Sequence, residues 1–129
     1  MPTWKGRFNN LGSPIISITI SGPDGGMSYR VDAIVDTGFN GFLALPVAYA
    51  RNLGLTTTSV YTLGAADDAA ALRPGSKGRI GVEGEEFDGD FLILDNNLDC
   101  FAIGVEFLRI TRRRLEVSII RDEIILIEE

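Results

Sequence analysis

A short polar tripeptide interrupts an apolar stretch near the start of the chain. The apolar run 33–35 leads directly into Asp36-Thr37-Gly38, and a second apolar segment, 42–45, follows within a few residues. Short runs of β-branched and other apolar residues favour strands, and a glycine permits a tight turn in which the backbone approaches closely. The pattern predicts two strands joined by a loop that aims the carboxylate of Asp36, which indicates acid–base chemistry.

The same tripeptide also has a purely structural interpretation. Aspartate side chains in turns accept hydrogen bonds from nearby backbone N–H groups, so Asp36 would close an Asx-type turn between two strands while Thr37 faces solvent. Short motifs of this kind also occur by chance. A second feature of the sequence is therefore needed to choose between the two interpretations.

That second feature is an apolar segment late in the chain, at residues 101–108. Its sequence, Phe-Ala-Ile-Gly-Val-Glu-Phe-Leu, is typical of a strand that ends at Gly104 and is followed by a short helical turn. Together with the Asp-Thr-Gly loop it resembles the retropepsin-like (clan AA) aspartic proteases, particularly their small bacterial single-domain members. These members have a phenylalanine after the loop glycine, and in this chain that residue is Phe39. The resemblance spans residues 11–129.

The resemblance implies an aspartic endopeptidase that is a homodimer, with one Asp-Thr-Gly loop from each chain. The sequence has 129 residues and one such loop, so both acids cannot come from the same chain. The implied catalytic residues are Asp36, Thr37 and Gly38. The two Asp36 carboxylates would share a proton and activate a water that attacks the peptide bond. Thr37 would bond across the dimer, Gly38 would donate its N–H to the carboxylate, and no metal or cofactor is needed.

The resemblance also places a flap, which closes over bound peptide, in the small and polar segment 64–78. The implied substrate-binding residues are Phe39, Gly64, Ala65, Ala66 and Asp67. An ordinary surface hairpin is the alternative interpretation of this segment. The partners expected from the resemblance are a second copy of the chain and a peptide or protein substrate.

One departure from the retroviral pattern concerns the dimer. Retroviral enzymes often have Gly-Arg-Asp or Gly-Arg-Asn where this chain has Gly104-Val105-Glu106, so an arginine that braces the two subunits is missing. A weak dimer would make activity depend steeply on protein concentration, because only the pair is active. A non-catalytic peptide-binding or dimerisation module of the same fold and a structural β-barrel subunit remain alternative interpretations.

Composition disfavours several classes of protein. The chain has no histidine, which removes Ser-His-Asp and Cys-His catalysis and histidine metal sites. Its single cysteine, Cys100, cannot form an intramolecular disulfide and is expected to be a buried thiol. A net charge of −6 disfavours nucleic-acid binding, and the basic run 112–114 is expected to be a solvated strand edge.

Alternating apolar and polar residues predict an all-β fold, which the resemblance specifies as a closed acid-protease (retropepsin-like) barrel with one or two short helices. Strands are expected over 14–20, 27–35, 42–45, 56–63, 79–82, 85–94, 99–103, 115–120 and 123–127, and helices over 46–53 and 104–110. The apolar C-terminal hairpin, 115–127, is expected to help build the dimer. The alternative is that it pairs wholly within its own barrel.

Length and composition predict a single domain over residues 1–129, with residues 1–10 as an N-terminal arm. Hydrophobic residues make up 45% of the chain and charged residues 23%, which is ordinary for a globular protein. The N-terminus lacks the apolar core of a signal peptide, and no apolar stretch is long enough to span a bilayer. The expected location is cytoplasmic, with no membrane partner.

Overall fold

The computed structural model describes residues 3–63, 71–95 and 100–129. The strands are β1 (Thr3–Phe8), β2 (Pro14–Gly22), β3 (Gly25–Val35), β4 (Leu43–Pro46), β5 (Ser59–Leu63), β6 (Ala71–Val82), β7 (Glu85–Leu94), β8 (Phe101–Ile103), β9 (Arg113–Ser118) and β10 (Glu123–Glu128). The helices are α1 (Val47–Asn52) and α2 (Val105–Thr111). The prediction of an all-β fold with one or two short helices is confirmed.

Six of the strands close into a barrel. Around the ring, β2 pairs with β3, β3 with β8, β8 with β4, β4 with β7, β7 with β6, and β6 returns to β2. The β3–β8 and β4–β7 pairs are parallel, and the other four are antiparallel. Outside the ring, β5 pairs with β6, while β1, β10 and β9 extend the sheet from β2. The closed barrel of the sequence-based prediction is thus present.

The alternation along β2 shows why the chain forms this sheet. Ile16, Ile18 and Ile20 are fully buried, whereas Ser17 and Thr19 between them are only partly buried. Side chains of a strand alternate between its two faces, so one face of β2 lies in the barrel core and the other faces outward.

Aromatic rings fill the end of the core that supports the N-terminal strand. The ring of Phe107 lies 6.1 Å from that of Trp4 and 5.8 Å from that of Phe42. Phe42 lies where a side chain on Gly89 would need to be, since a Cβ atom there would lie 2.6 Å from one atom of the ring and still closer to two others. The aromatic cluster therefore depends on glycine at position 89 as well as on the rings themselves.

Trp4 is expected to be a major contributor to stability. It is fully buried, and the guanidinium carbon of Arg113 lies 3.6 Å from its ring centroid. Replacing Trp4 with alanine is expected to lower the free energy of unfolding by about 3–5 kcal/mol, measured by urea denaturation, because it leaves a large cavity. Met27→Ala is the control, since that side chain is 61% exposed. Equal denaturation midpoints for the two variants would contradict the assignment of Trp4 to the core.

Several strand boundaries differ from the sequence-based predictions, and β1 lies in the segment 1–10 that was predicted as an arm. Strand β6 begins at Ala71 and not at residue 79, because β5 pairs with its first half even though small residues there give no alternating pattern. Strand β9 ends at Ser118 and not at residue 120, because residues 119–122 form the turn to β10. In that turn the Asp122 N–H donates to the Ile119 carbonyl at 3.2 Å.

The C-terminal hairpin pairs within its own chain. Strand β10 lies between β1 on one side and β9 on the other, so both of its edges are occupied. The interpretation that the hairpin pairs within its own barrel therefore holds for β10. This strand offers no edge for interleaving with a second chain. In the described part of the chain, β9 is the last strand of the sheet and has an outer edge without a partner strand.

Candidate active site

The parallel pairing of β3 with β8 places Asp36. Val35, the last residue of β3, is paired with Ile103, the last residue of β8. The next residue, Asp36, continues this ladder because its backbone N–H donates to the Ile103 carbonyl at 2.9 Å. The acid is thus attached to the barrel by backbone hydrogen bonding up to the point where the loop begins.

The loop itself orients the carboxylate. The Gly38 N–H donates to Asp36 Oδ1 at 2.9 Å, which is the hydrogen bond expected from the sequence. The Phe39 N–H donates to the Asp36 carbonyl at 3.1 Å, which closes the turn. Asp36, Thr37 and Gly38 are all exposed. The arrangement therefore presents a fixed, water-accessible carboxylate that can accept a proton from water.

No cation accompanies this carboxylate among the residues that the structure describes. Asp32, on the strand that leads to Asp36, is different, since Arg7 forms a salt bridge to it at 2.8 Å and the Ser17 hydroxyl donates to it at 2.8 Å. Asp32 is thus neutralised within the chain, whereas the charge of Asp36 is left for solvent, substrate or a second chain.

The first turn of α2 holds the far side of the loop. The Val105 N–H donates to the Phe39 carbonyl at 2.9 Å. The Glu106 N–H lies 3.2 Å from both the Asn40 and the Gly41 carbonyl oxygens. The first N–H groups of a helix have no partner inside the helix, so these loop carbonyls satisfy them. The loop is therefore fastened at both ends, to β8 and to α2.

Phe39 covers two glycines beside the acid. A Cβ atom on Gly41 or on Gly104 would lie 2.7 Å from an atom of the Phe39 ring, so the half-buried ring packs directly on both backbones. Phe39 was predicted as a site residue from the sequence, whereas neither glycine was. The signal for Gly41 was an aromatic residue two positions before it, whereas Gly104 belongs to the segment 101–108 that carries the resemblance.

The predicted site residues fall into two groups, those that the structure describes and those that it does not. Asp36, Thr37, Gly38 and Phe39 form one continuous loop at the end of β3. The other predicted substrate-binding residues, namely Gly64, Ala65, Ala66 and Asp67, lie outside the described residues. Their contribution therefore stays a prediction.

Two further findings concern metal binding and membrane spans in the described ranges. There, no group of three or more His, Cys, Asp or Glu side chains is arranged to hold a metal ion. Within residues 3–63, 71–95 and 100–129, neither helix is long and apolar enough to cross a membrane.

Comparison with solved structures finds the same architecture in proteins of distant sequence. One is a retropepsin-like aspartic protease from Rickettsia conorii, with a TM-score of 0.67 and 20% identity, covering 98% of this chain and 90% of that chain. Another is EIAV protease complexed with the inhibitor HBY-793, with a TM-score of 0.56 and 15% identity, covering 79% of this chain and 90% of that chain. No protein-family model matches the sequence, and no curated protein matches it. At these identities the likeness is one of fold.

Proposed function

We propose, from the retropepsin-like fold of this chain, that the protein is an aspartic endopeptidase that acts as a homodimer with one Asp-Thr-Gly loop per chain. The observation that carries the proposal is the carboxylate of Asp36. It is exposed, lacks a salt-bridge partner in the described part of the chain, and is oriented by the Gly38 N–H at 2.9 Å. If Asp36 only closed the turn, it could equally well be paired with a surface cation. Asp32 is paired in this way with Arg7, whereas Asp36 is not.

The proposed chemistry requires a second carboxylate. Peptide hydrolysis by this route needs a base that takes a proton from water and an acid that polarises the scissile carbonyl. Two carboxylates at close range cannot both stay ionised, so they share one proton and supply both functions. One chain provides one Asp36, so the pair comes from two copies. The water adds to the carbonyl to give a tetrahedral diol, without an acyl-enzyme.

The neighbouring residues take supporting roles in this proposal. Thr37 is exposed beside Asp36, where its hydroxyl can bond to the second copy and brace the two loops. Phe39 supplies an apolar surface for a substrate side chain, and residues 64–67 are proposed to cover the bound peptide. The proposed substrate is therefore an extended peptide or an unfolded protein segment.

Activity is expected to depend on dimer formation. Incubation with a denatured protein at mildly acidic pH should give cleavage that pepstatin inhibits. Below the dimer dissociation constant the rate should rise with the square of protein concentration, because only the pair is active. The measurement is the initial cleavage rate over a dilution series. Peptide binding without cleavage at any pH would contradict the proposal and favour the non-catalytic module.

A further inference from the structure

The turn between β9 and β10 exposes two large apolar side chains. Ile119 is 76% exposed and Ile120 is 99% exposed. Turn positions are dominated by Gly, Pro, Asn, Asp and Ser, and isoleucine brings no conformational advantage there. Burial within the chain does not explain these residues either. Adjacent exposed apolar side chains of this kind are typical of a contact surface.

The turn is ordered, so the isoleucines are held outward by the structure. The Asp122 N–H donates to the Ile119 carbonyl at 3.2 Å, and the Arg121 N–H donates to Ser118 Oγ at 3.2 Å. Asp122 has a φ of 53°, a conformation that aspartate tolerates better than β-branched residues do. The register of β9 with β10 therefore fixes the positions of both isoleucines at the tip.

This turn lies at the same end of the sheet as the candidate catalytic acid. Antiparallel pairing puts the start of β10 beside the end of β1, and Phe8 at that end pairs with Pro14 at the start of β2. The next residue of β2, Ile15, pairs with Ile34 near the end of β3. Three steps between neighbouring strands, from β3 through β2 and β1 to β10, thus separate Asp36 from the hairpin turn.

A third exposed apolar residue lies between them. Leu11, in the turn from β1 to β2, is 90% exposed. The Asn9 side-chain oxygen accepts hydrogen bonds from the Leu11 and Ser13 N–H groups, each at 2.9 Å, so this turn is also fixed. Leu11, Ile119 and Ile120 are called the end patch below.

We infer that the end patch is where a second copy of this chain docks, so that the two Asp36 loops meet. The inference rests on the proposed function, because a site with one carboxylate is complete only when a copy approaches this end of the sheet. The charges beside the patch fit a twofold contact, since Arg121 and Asp122 are adjacent and opposite in sign. In such a contact, each Arg121 can face Asp122 of the other copy. With Glu123 beside them, the charges at the turn are one cation and two acids per copy, and the Arg121–Asp122 pairs across the axis oppose the repulsion between two chains of net charge −6.

The test combines sedimentation with cleavage. The double variant Ile119→Asp/Ile120→Asp is expected to raise the dimer dissociation constant at least about a hundredfold, because apolar burial is lost on both sides of the twofold axis. Met27→Asp, at the opposite end of the sheet and 61% exposed, is the matched control and should dimerise like the wild type. Activity of the double variant should fall at low protein concentration and recover at high concentration. Ile120→Ser alone should shift the constant in the same direction, and circular dichroism checks that each variant is folded.

The outcomes separate the two proposals. If the double variant dimerises as tightly as the wild type while cleavage still depends on Asp36, the docking surface is wrong and the proposed function stands. If the double variant is monomeric while neither it nor the wild type cleaves any substrate, the docking surface stands and the proposed function is wrong. A wild type that stays monomeric at high concentration overturns both.

Discussion

Replacing Asp36 with asparagine is expected to lower the peptide-cleavage rate about a thousandfold, within the range of about 10²–10⁴ that removal of a general base typically gives. The asparagine side-chain oxygen can still accept the Gly38 N–H that now bonds to Asp36 Oδ1 at 2.9 Å, so the loop keeps its geometry. What is lost is the ability to take a proton from water. The measurement is the initial rate of cleavage of a denatured protein at saturating enzyme concentration.

A matched substitution distinguishes the loss of chemistry from a general charge effect. Asp24 is exposed in the turn between β2 and β3, at the opposite end of the sheet from Asp36. Asp24→Asn removes the same charge and should leave the rate unchanged. Both variants should unfold at wild-type urea concentrations and sediment as the wild type does. Wild-type cleavage by Asp36→Asn would show that Asp36 is not the catalytic acid.

Local pattern was sufficient to predict the hairpin that delivers the acid. Ile16, Ile18 and Ile20 alternate with polar residues, and the structure buries all three in β2. Residue 35 was also correctly predicted as the end of the next strand. The physical reason is that an antiparallel strand with one face in the core and one in solvent alternates apolar and polar residues, so its buried positions can be read from its own sequence. The same local information placed Asp36 directly after that strand.

The support for the loop was not predictable in the same way. The parallel pairs β3–β8 and β4–β7 join segments far apart in the chain, and nothing in either segment specifies the partner. The bonds from Val105 and Glu106 to the loop carbonyls exist only because this topology brings α2 to the loop. Such contacts are determined by the assembled barrel. The sequence therefore indicated Asp36 and its hydrogen bond from Gly38, but not the residues of β8 and α2 that hold the loop.

The end patch shows where propensity was misleading. Ile119 and Ile120 have high strand propensity, which predicts a strand up to residue 120 and a turn around 121–122. The structure ends β9 at Ser118 and uses residues 119–122 as the turn. The preference of isoleucine for strands reflects a pleated, half-buried surface, and these two positions have no such surface within the chain.

Gly104→Ala is expected to lower both the stability of the protein and its cleavage rate. A Cβ atom at this position would lie 2.6 Å from the Gly41 carbonyl oxygen and still closer to that of Phe39. Those two carbonyls accept N–H groups of α2, so the loop cannot move away without breaking these bonds. Overpacking of this kind costs about 1–3 kcal/mol of stability, which urea denaturation measures. A loop shift of about 1 Å can also lower the cleavage rate about a hundredfold.

Two further variants identify the cause of this effect. Gly81→Ala adds the same methyl group where the nearest atoms are 3.7 Å away, so its stability should stay within about 0.5 kcal/mol of the wild type. Phe39→Ala removes the ring that lies 2.7 Å from the added methyl group but leaves both carbonyl oxygens in place. Combining it with Gly104→Ala should therefore not restore activity. Restoration by the double variant would instead show that the ring, and not the backbone of the loop, is what requires glycine at position 104.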